Sequence, residues 1–227
     1  YFIKYGPPAI NTDAMELIKS AMQTSENSLA DALLNELDPN RGPLIVTDDM
    51  RKVGLENTFL AGFFCNAASP CPLLERISTP ANQRTDVFTD PDLFNQTTPS
   101  ETGMLLADIY QCANAGGGAL VAAYPDKINS EICQQMISFL AGDSIAVLIE
   151  AGVPEGTQVA HKHGWITEPS SGVIQNISDA GIVYTPGGNY VLVIYAYHPV
   201  QTIWEPVSAL FAQMSQAVYN FYNIPTQ

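Results

Sequence analysis

Basic residues are scarce in this chain: nine Lys plus Arg stand against 23 Asp plus Glu in 227 residues, a formal net charge of −14. A surface of that sign repels phosphate backbones and anionic lipid, which excludes nucleic acid and anionic membranes as partners. Long apolar runs are missing too, and no stretch approaches the ~20 residues that a membrane-spanning helix needs. No two of the four cysteines are spaced as Cys-x-x-Cys, and the three histidines do not cluster with them, so a zinc site is a poor reading. No internal repeat divides the chain. It starts at Tyr1, not at a methionine, so a segment upstream is expected.

The cysteines that are present are Cys65, Cys71, Cys112 and Cys133. Four buried thiols are one reading. Two disulfides are the other, Cys65–Cys71 across a short loop and Cys112–Cys133 across a helical hairpin, and they imply an extracytoplasmic protein.

Helical periodicity fills most of the first two thirds. Thr12 is placed to cap a helix over 12–22, with Met15, Ile18 and Met22 on one face. After Ser25-Glu26-Asn27 comes a second, carrying Leu29, Leu33, Leu34 and Leu37. A short helix is predicted over 48–53 and another over 55–64, with Leu55, Phe59, Leu60 and Phe63 on one face. Residues 66–100 have no sustained period and read as a long loop, a length that usually signals function or disorder. A helix over 101–114 follows, with Ser100 as its cap and Gly116-Gly117-Gly118 as its stop. Asn129 caps the next, over 130–141. Pro206 opens a terminal helix whose Val207, Leu210, Phe211, Met214, Val218 and Phe221 should cover one face of a sheet.

Three β-branched runs, 158–166, 178–184 and 190–197, supply that sheet. Turn residues separate them, Glu168 to Gly172 and then Pro186-Gly187-Gly188-Asn189, as in consecutive antiparallel hairpins. The fold class expected is therefore α+β, a three-stranded antiparallel sheet flanked by helices with a helical lobe.

Lys162-His163-Gly164 lies in the first strand, Asp179-Ala180-Gly181-Ile182-Val183-Tyr184 in the second and Tyr190 to Ile194 in the third. Ser25-Glu26-Asn27 sits between two helices, and Thr97-Thr98-Pro99 precedes another. In these residues the chain resembles the C-terminal portion of class A serine β-lactamases and of the related penicillin-binding D,D-peptidases. The resemblance implies a single β-lactamase-like domain over 1–227, N-terminally incomplete, with a helical lobe at about 11–150 and the sheet and last helix at about 151–227. It implies acyl-enzyme chemistry on β-lactams or D-Ala-D-Ala-like peptides. Ser25 would pass a proton to the leaving nitrogen, and Lys162 would hold Ser25 and attract the substrate carboxylate. Asn27, His163, Gly164 and the backbone near Trp165 would bind substrate, the strand edge pairing with it in β fashion.

Four departures qualify that reading. His163 stands where the family carries Thr or Ser, and Glu26 where it carries Asp. The loop holds no glutamate between Ser78 and Thr98, hence no Glu-x-x-x-Asn motif for the deacylating water; Asp86 and Asp90 lie outside such a motif. No serine is followed by a lysine three positions on, so the nucleophile would come from an upstream segment or another chain. The alternative function is a non-catalytic extracellular ligand-binding or interaction module. His161 and His163 alternate onto one face and could ligate metal, but the sequence offers no evident third ligand, so neither a metal site nor a cofactor is expected. Trp165 and Trp204 read as packing residues, and Asp179 as a structural polar contact.

Overall fold

The computed structural model describes residues 12–65, 74–87, 94–143, 145–167 and 171–224. The helical part begins with α1 (Thr12–Thr24), α2 (Asn27–Leu37) and α3 (Gly42–Lys52). Helix α3 starts six residues ahead of the predicted 48–53 segment. Pro43 in its first turn presets the helical φ, and Asp38 Oδ1 accepts from the N–H groups of Asn40 and Arg41 to turn the chain into it.

The helix predicted over 55–64 does not form. Gly54, at φ +87°, stops α3. Beyond it Thr47 Oγ1 donates to the carbonyl of Leu60 and accepts from its N–H, both at 2.7 Å. This extended segment is a short strand, β1 (Phe59–Leu60), paired antiparallel with β2 (Asn95–Gln96). Phe59 and Ala61 are buried. A helix-like spacing of apolar residues was here satisfied by a strand and its flank.

Next come α4 (Pro99–Ala115), α5 (Ala119–Ala123) and α6 (Ser130–Leu140). The cap of α4 is Thr98, whose Oγ1 accepts from Glu101 N, not the predicted Ser100; with Pro99 as the first helical residue, the cap falls two positions earlier. Asn129 caps α6 as predicted, accepting from Ile132 N. Cys112 and Cys133, both fully buried, form a disulfide between α4 and α6. Cys65 is disulfide-bonded as well; Cys71, its predicted partner, lies outside the described residues.

Strands β3 (Val159–Thr167), β4 (Ile174–Val183) and β5 (Tyr190–Tyr197) form an antiparallel sheet in that order, and α7 (Trp204–Tyr222) follows. Strand alternation gives the sheet two different faces. Ala160, Ala180 and Ile182 pack into a core with Leu106, Ile109, Ile137 and Leu140 of α4 and α6. Val159, Ile177 and Val183 pack with Leu148, Ile149 and Phe211 on the side of α7. The stripe predicted on α7 divides accordingly: Phe211 is buried and Val207 and Val218 pack on this core, whereas Leu210, Met214 and Phe221 are exposed. Ser215, a polar residue, occupies the most buried stretch because its Oγ donates to the carbonyl of Ile149.

Candidate active site

Register decides what each residue of β3 faces. Lys162 lies opposite Ala180, on the helix-lobe side, while His161 and His163 lie opposite Gly181 and Asp179, on the α7 side. Among the described residues β3 is an edge strand of its sheet, with no strand paired on its outer side, where an added strand could pair. Gly164 faces Ser178, whose Oγ donates to the Gly164 carbonyl; a Cβ at position 164 would stand 3.1 Å from that Oγ.

Asp143, in the turn after α6, reaches the edge strand from the side. Its Oδ2 accepts from Lys162 Nζ at 3.4 Å and lies 2.8 Å from His163 Nδ1. The Asp143 side chain is fully buried, and about a quarter of the Lys162 side chain is exposed. Burial pushes the Asp143 carboxyl up, but contact with His163 and the charge of Lys162 outweigh it and leave the pKa below its ordinary value.

Ser25 is exposed and occupies the left-handed region at φ +58°, with its N–H closing onto the Ala21 carbonyl at the end of α1. A non-glycine residue held there is strained, a state that tends to cluster at functional sites. Glu26 takes the N-cap position of α2 without a side-chain cap hydrogen bond, and Asn27 is the exposed first residue of that helix. Ser25 and Lys162 make no hydrogen bond to each other. Their elements meet through intermediaries: a Cβ on Gly142 would fall 2.6 Å from Gln23 Nε2, and Gly142 precedes the Asp143 that holds Lys162.

His163 was expected to bind substrate. Its side chain is instead about 1% exposed, on the face opposite Lys162, stacked on Trp165 at 4.9 Å between ring centres. Trp165 meets Trp204 edge-on at 4.8 Å and remains 37% exposed, so both tryptophans pack as expected and Trp165 also keeps an open surface.

Beneath the strand, Asp179 is completely buried and accepts from Ile149 N at 3.0 Å, while its Oδ1 lies 3.0 Å from His161 Nδ1. Glu150 Oε2 stands 3.3 Å from the other imidazole nitrogen of His161. Burial opposes a charge on His161, yet the hydrogen bond and charge of Asp179, with Asp143 and Glu150, hold its pKa above the ordinary 6.5. Asp143 is a carboxylate that sequence reasoning did not single out: one potential ligand atom from each of Asp143, His161 and His163 lies within 4.8 Å of the others, close enough that the three could hold a metal ion. Asp143 and His161 are eighteen positions apart, and no spacing motif links them; only the fold of the α6–β3 connection against the strand does.

The described part of the long loop is well tethered. Glu101, buried in the first turn of α4, accepts from Asn57 N, Asn57 Nδ2 and Thr58 Oγ1. Asn57 Oδ1 in turn accepts from Ala81 N, which fixes the loop to α4. Asp86 is clasped by Arg84 at 2.6 and 2.8 Å; hydrogen bonding to Arg84 pushes its carboxyl down to about 2. Asp90 lies outside the described residues.

A cleft of about 480 Å³ opens among α1, α2, α3, α4 and α6, lined by apolar side chains that include Ile18, Leu33, Leu37, Met50, Leu105 and Met136.

Solved structures share this fold. PBP-A is 21% identical, with a TM-score of 0.62, over 92% of this chain and 61% of its own. A leucine-to-glutamate mutant of PBP-A, solved as an acyl-enzyme complex with penicillin G, is likewise 21% identical over the same shares, with a TM-score of 0.63. A class A β-lactamase from Bacteroides cellulosilyticus DSM 14838 is 20% identical over 93% of this chain and 64% of its own, with a TM-score of 0.65. The chain thus spans a little under two thirds of the length of these proteins. No curated protein matches its sequence. A family model, Beta-lactamase2, matches residues 2–222, nearly the whole sequence, and on that match the chain belongs to the beta-lactamase enzyme family.

Proposed function

We propose that this chain is the substrate-side portion of a β-lactamase-like serine hydrolase that forms acyl-enzymes with β-lactams or D-Ala-D-Ala-like cell-wall peptides. The observation that carries the reading is Lys162, presented on the lobe-facing side of an open edge strand and tied to the turn that abuts the end of α1 ahead of Ser25. In this reading the Lys162 ammonium attracts the substrate carboxylate and orients the Ser25 hydroxyl, which hands a proton to the leaving nitrogen. Asn27 contacts the substrate amide. The backbone from Gly164 to Trp165 pairs with the substrate as an added strand, and Gly164 keeps that edge clear.

The nucleophile belongs to a segment outside the 227 residues, in the same protein or another chain. Two features support this. The cleft among five helices is apolar and wide enough for side chains of a further helix. Leu210, Met214 and Phe221 of α7 are exposed, and among the described residues β5 has no strand paired on its outer edge, apolar and hydrogen-bonding surfaces of the kind that folded proteins normally cover. The lobe and the sheet form one domain in this reading, because Ala160, Ala180 and Ile182 share a core with α4 and α6. Secretion to an extracellular or periplasmic location suits the buried Cys112–Cys133 disulfide. Among the described residues no helix is long and apolar enough to cross a membrane.

Turnover is slow in this reading. In the described loop Asp86 is held ionised by Arg84 and is a weak base, and the Glu101 carboxylate is occupied by donors. Lack of a positioned general base typically costs ~10²–10⁴-fold in rate. The PBP-A acyl-enzyme was obtained with penicillin G, which makes that ligand the natural first probe. The test is a mass-spectrometric time course of the full-length protein with penicillin G: an adduct of the intact drug that accumulates and persists supports the proposal, and no adduct overturns it. A non-catalytic binding module is the second reading, favoured by His163, whose imidazole is buried where the family carries a hydroxyl that binds the substrate carboxylate.

A further inference from the structure

We propose that Asp143, His161 and His163 form a binding site for one divalent transition-metal ion of the zinc class, set under the edge strand β3 on the side of α7. The three ligand atoms already lie within 4.8 Å of one another, and tetrahedral coordination with bonds of about 2.0–2.2 Å requires them roughly 3.3 Å apart, a change that side-chain rotation supplies. All three side chains are at least nine-tenths buried.

The buried nitrogens are unsatisfied in a way that fits an ion. His161 Nε2 and both ring nitrogens of His163 make no hydrogen bond. His163 Nδ1 is nonetheless only 2.8 Å from Asp143 Oδ2. Two groups that hydrogen-bond point at each other; two ligands of one ion point at a shared spot between them. A short contact that falls outside hydrogen-bond alignment is compatible with the second arrangement. His161 also has the support that metal-ligating histidines characteristically have: its Nδ1 is paired with the fully buried Asp179 carboxylate, which leaves Nε2 as the nitrogen available to an ion. Gly181 makes room for this, since a Cβ there would stand 2.8 Å from His161 Cβ.

Charge points the same way. The carboxylates of Asp143, Glu150 and Asp179 surround the imidazoles, and Lys162 is the ammonium beside them. With neutral imidazoles that leaves a surplus of two negative charges, which a dication cancels. Glu150, 3.3 Å from His161 Nε2 and with a third of its side chain exposed, lies on the solvent side and completes the coordination or guards the approach. Imidazole and carboxylate together suit Zn²⁺, Co²⁺, Ni²⁺ and Cu²⁺ better than Mg²⁺ or Ca²⁺. An ion here pins the α6–β3 turn to the edge strand and draws the Asp143 carboxylate away from Lys162. Metal binding itself does not depend on the hydrolase reading.

The experiment is a titration of chelator-stripped full-length protein with Co²⁺, followed by its visible d–d absorption and by quenching of Trp165, whose ring stacks on His163. Calorimetric competition with Zn²⁺ gives the stoichiometry. One equivalent per chain is expected, with the intensity of a four- or five-coordinate ion. Asp143→Asn and His163→Thr should each weaken binding at least tenfold, and Asp179→Asn, which touches no metal, by 10–100-fold. Circular dichroism establishes that each variant is folded, and the near-isosteric Asp143→Asn guards against loss of fold in the histidine variant. His198→Ala should bind as the parent does, since His198 Nδ1 is an exposed acceptor for Val200 and Gln201 N–H groups. No cobalt uptake by the parent protein, or uptake that persists unchanged in both Asp143→Asn and His163→Thr, overturns the site and leaves His161 as a structural imidazole between Glu150 and Asp179.

Discussion

Replacing Glu101 tests how the long loop is held. Its carboxylate receives Asn57 N at 2.9 Å, Asn57 Nδ2 at 2.7 Å and Thr58 Oγ1 at 2.6 Å. In Glu101→Ala the Thr58 hydroxyl keeps Thr97 Oγ1 as a partner at 2.9 Å, but the two Asn57 donors lose theirs. A buried donor left unpaired costs about 1–3 kcal/mol, so the substitution should destabilise the protein by about 2–4 kcal/mol, equivalent to a fall in Tm of roughly 5–15 °C. Glu101→Gln keeps one acceptor oxygen and should cost less. Burial pushes the Glu101 carboxyl up, but hydrogen bonds from Thr58 and Asn57 outweigh it and leave the pKa below its ordinary 4.5. A carboxyl whose folded pKa is depressed stabilises fully above the unfolded value and loses that contribution as pH falls through the folded value. The stability gap between wild type and Glu101→Gln should therefore be constant from neutral pH down to about 5 and shrink below 4.5. Urea unfolding at several pH values, followed by tryptophan fluorescence, measures it. A Glu101→Ala variant within 0.5 kcal/mol of wild type, or a gap that widens in acid, would refute the anchoring role, using the usual scale for neutral surface substitutions. Protease cleavage within 74–87 should also accelerate in the variant, because the Asn57–Ala81 hydrogen bond depends on the same anchor.

Other expectations follow from single contacts. In the full-length protein, Lys162→Ala and Ser25→Ala should each slow acylation by penicillin G at least ~10²-fold, in line with loss of a positioned proton-transfer group; unchanged adduct formation in either removes that residue from the site. Cys112 and Cys133 are 21 residues apart, and converting both to Ala should destabilise by roughly 3 kcal/mol in the chain-entropy model, a loss that thermal unfolding would reveal. A Cβ on Gly152 would overlap the Ala212 carbonyl oxygen, so Gly152→Ala should force α7 off the turn before β3 and cost at least ~1–3 kcal/mol; full stability of that variant would show that the contact yields freely.

Much of this protein was legible one residue at a time. The β-branched runs and their Gly, Pro and Asn turns dictated three antiparallel strands, because alternation and turn conformation are local properties. The Asn129 cap and the stop at Gly116 are local for the same reason. Local pattern misled at 55–64, where the spacing of Leu55, Phe59 and Leu60 suits a helix, but Thr47 and the partner strand at Asn95–Gln96 supply hydrogen bonds that a helix would have had to forgo. It also misled on α7, since periodicity marks an apolar stripe without saying which part of it finds a partner. Lys162, Ser25 and Asn27 were singled out by the family resemblance of their tripeptides, and their roles belong to the proposal. Asp143 could not: its significance comes from a turn that folds against the edge strand and brings one carboxylate to Lys162 and His163 together. The side of the sheet that His163 faces was likewise decided in three dimensions. Alternation puts 161 and 163 on one face and 162 on the other, and only packing against α7 on one side and the helical lobe on the other determines which face is buried.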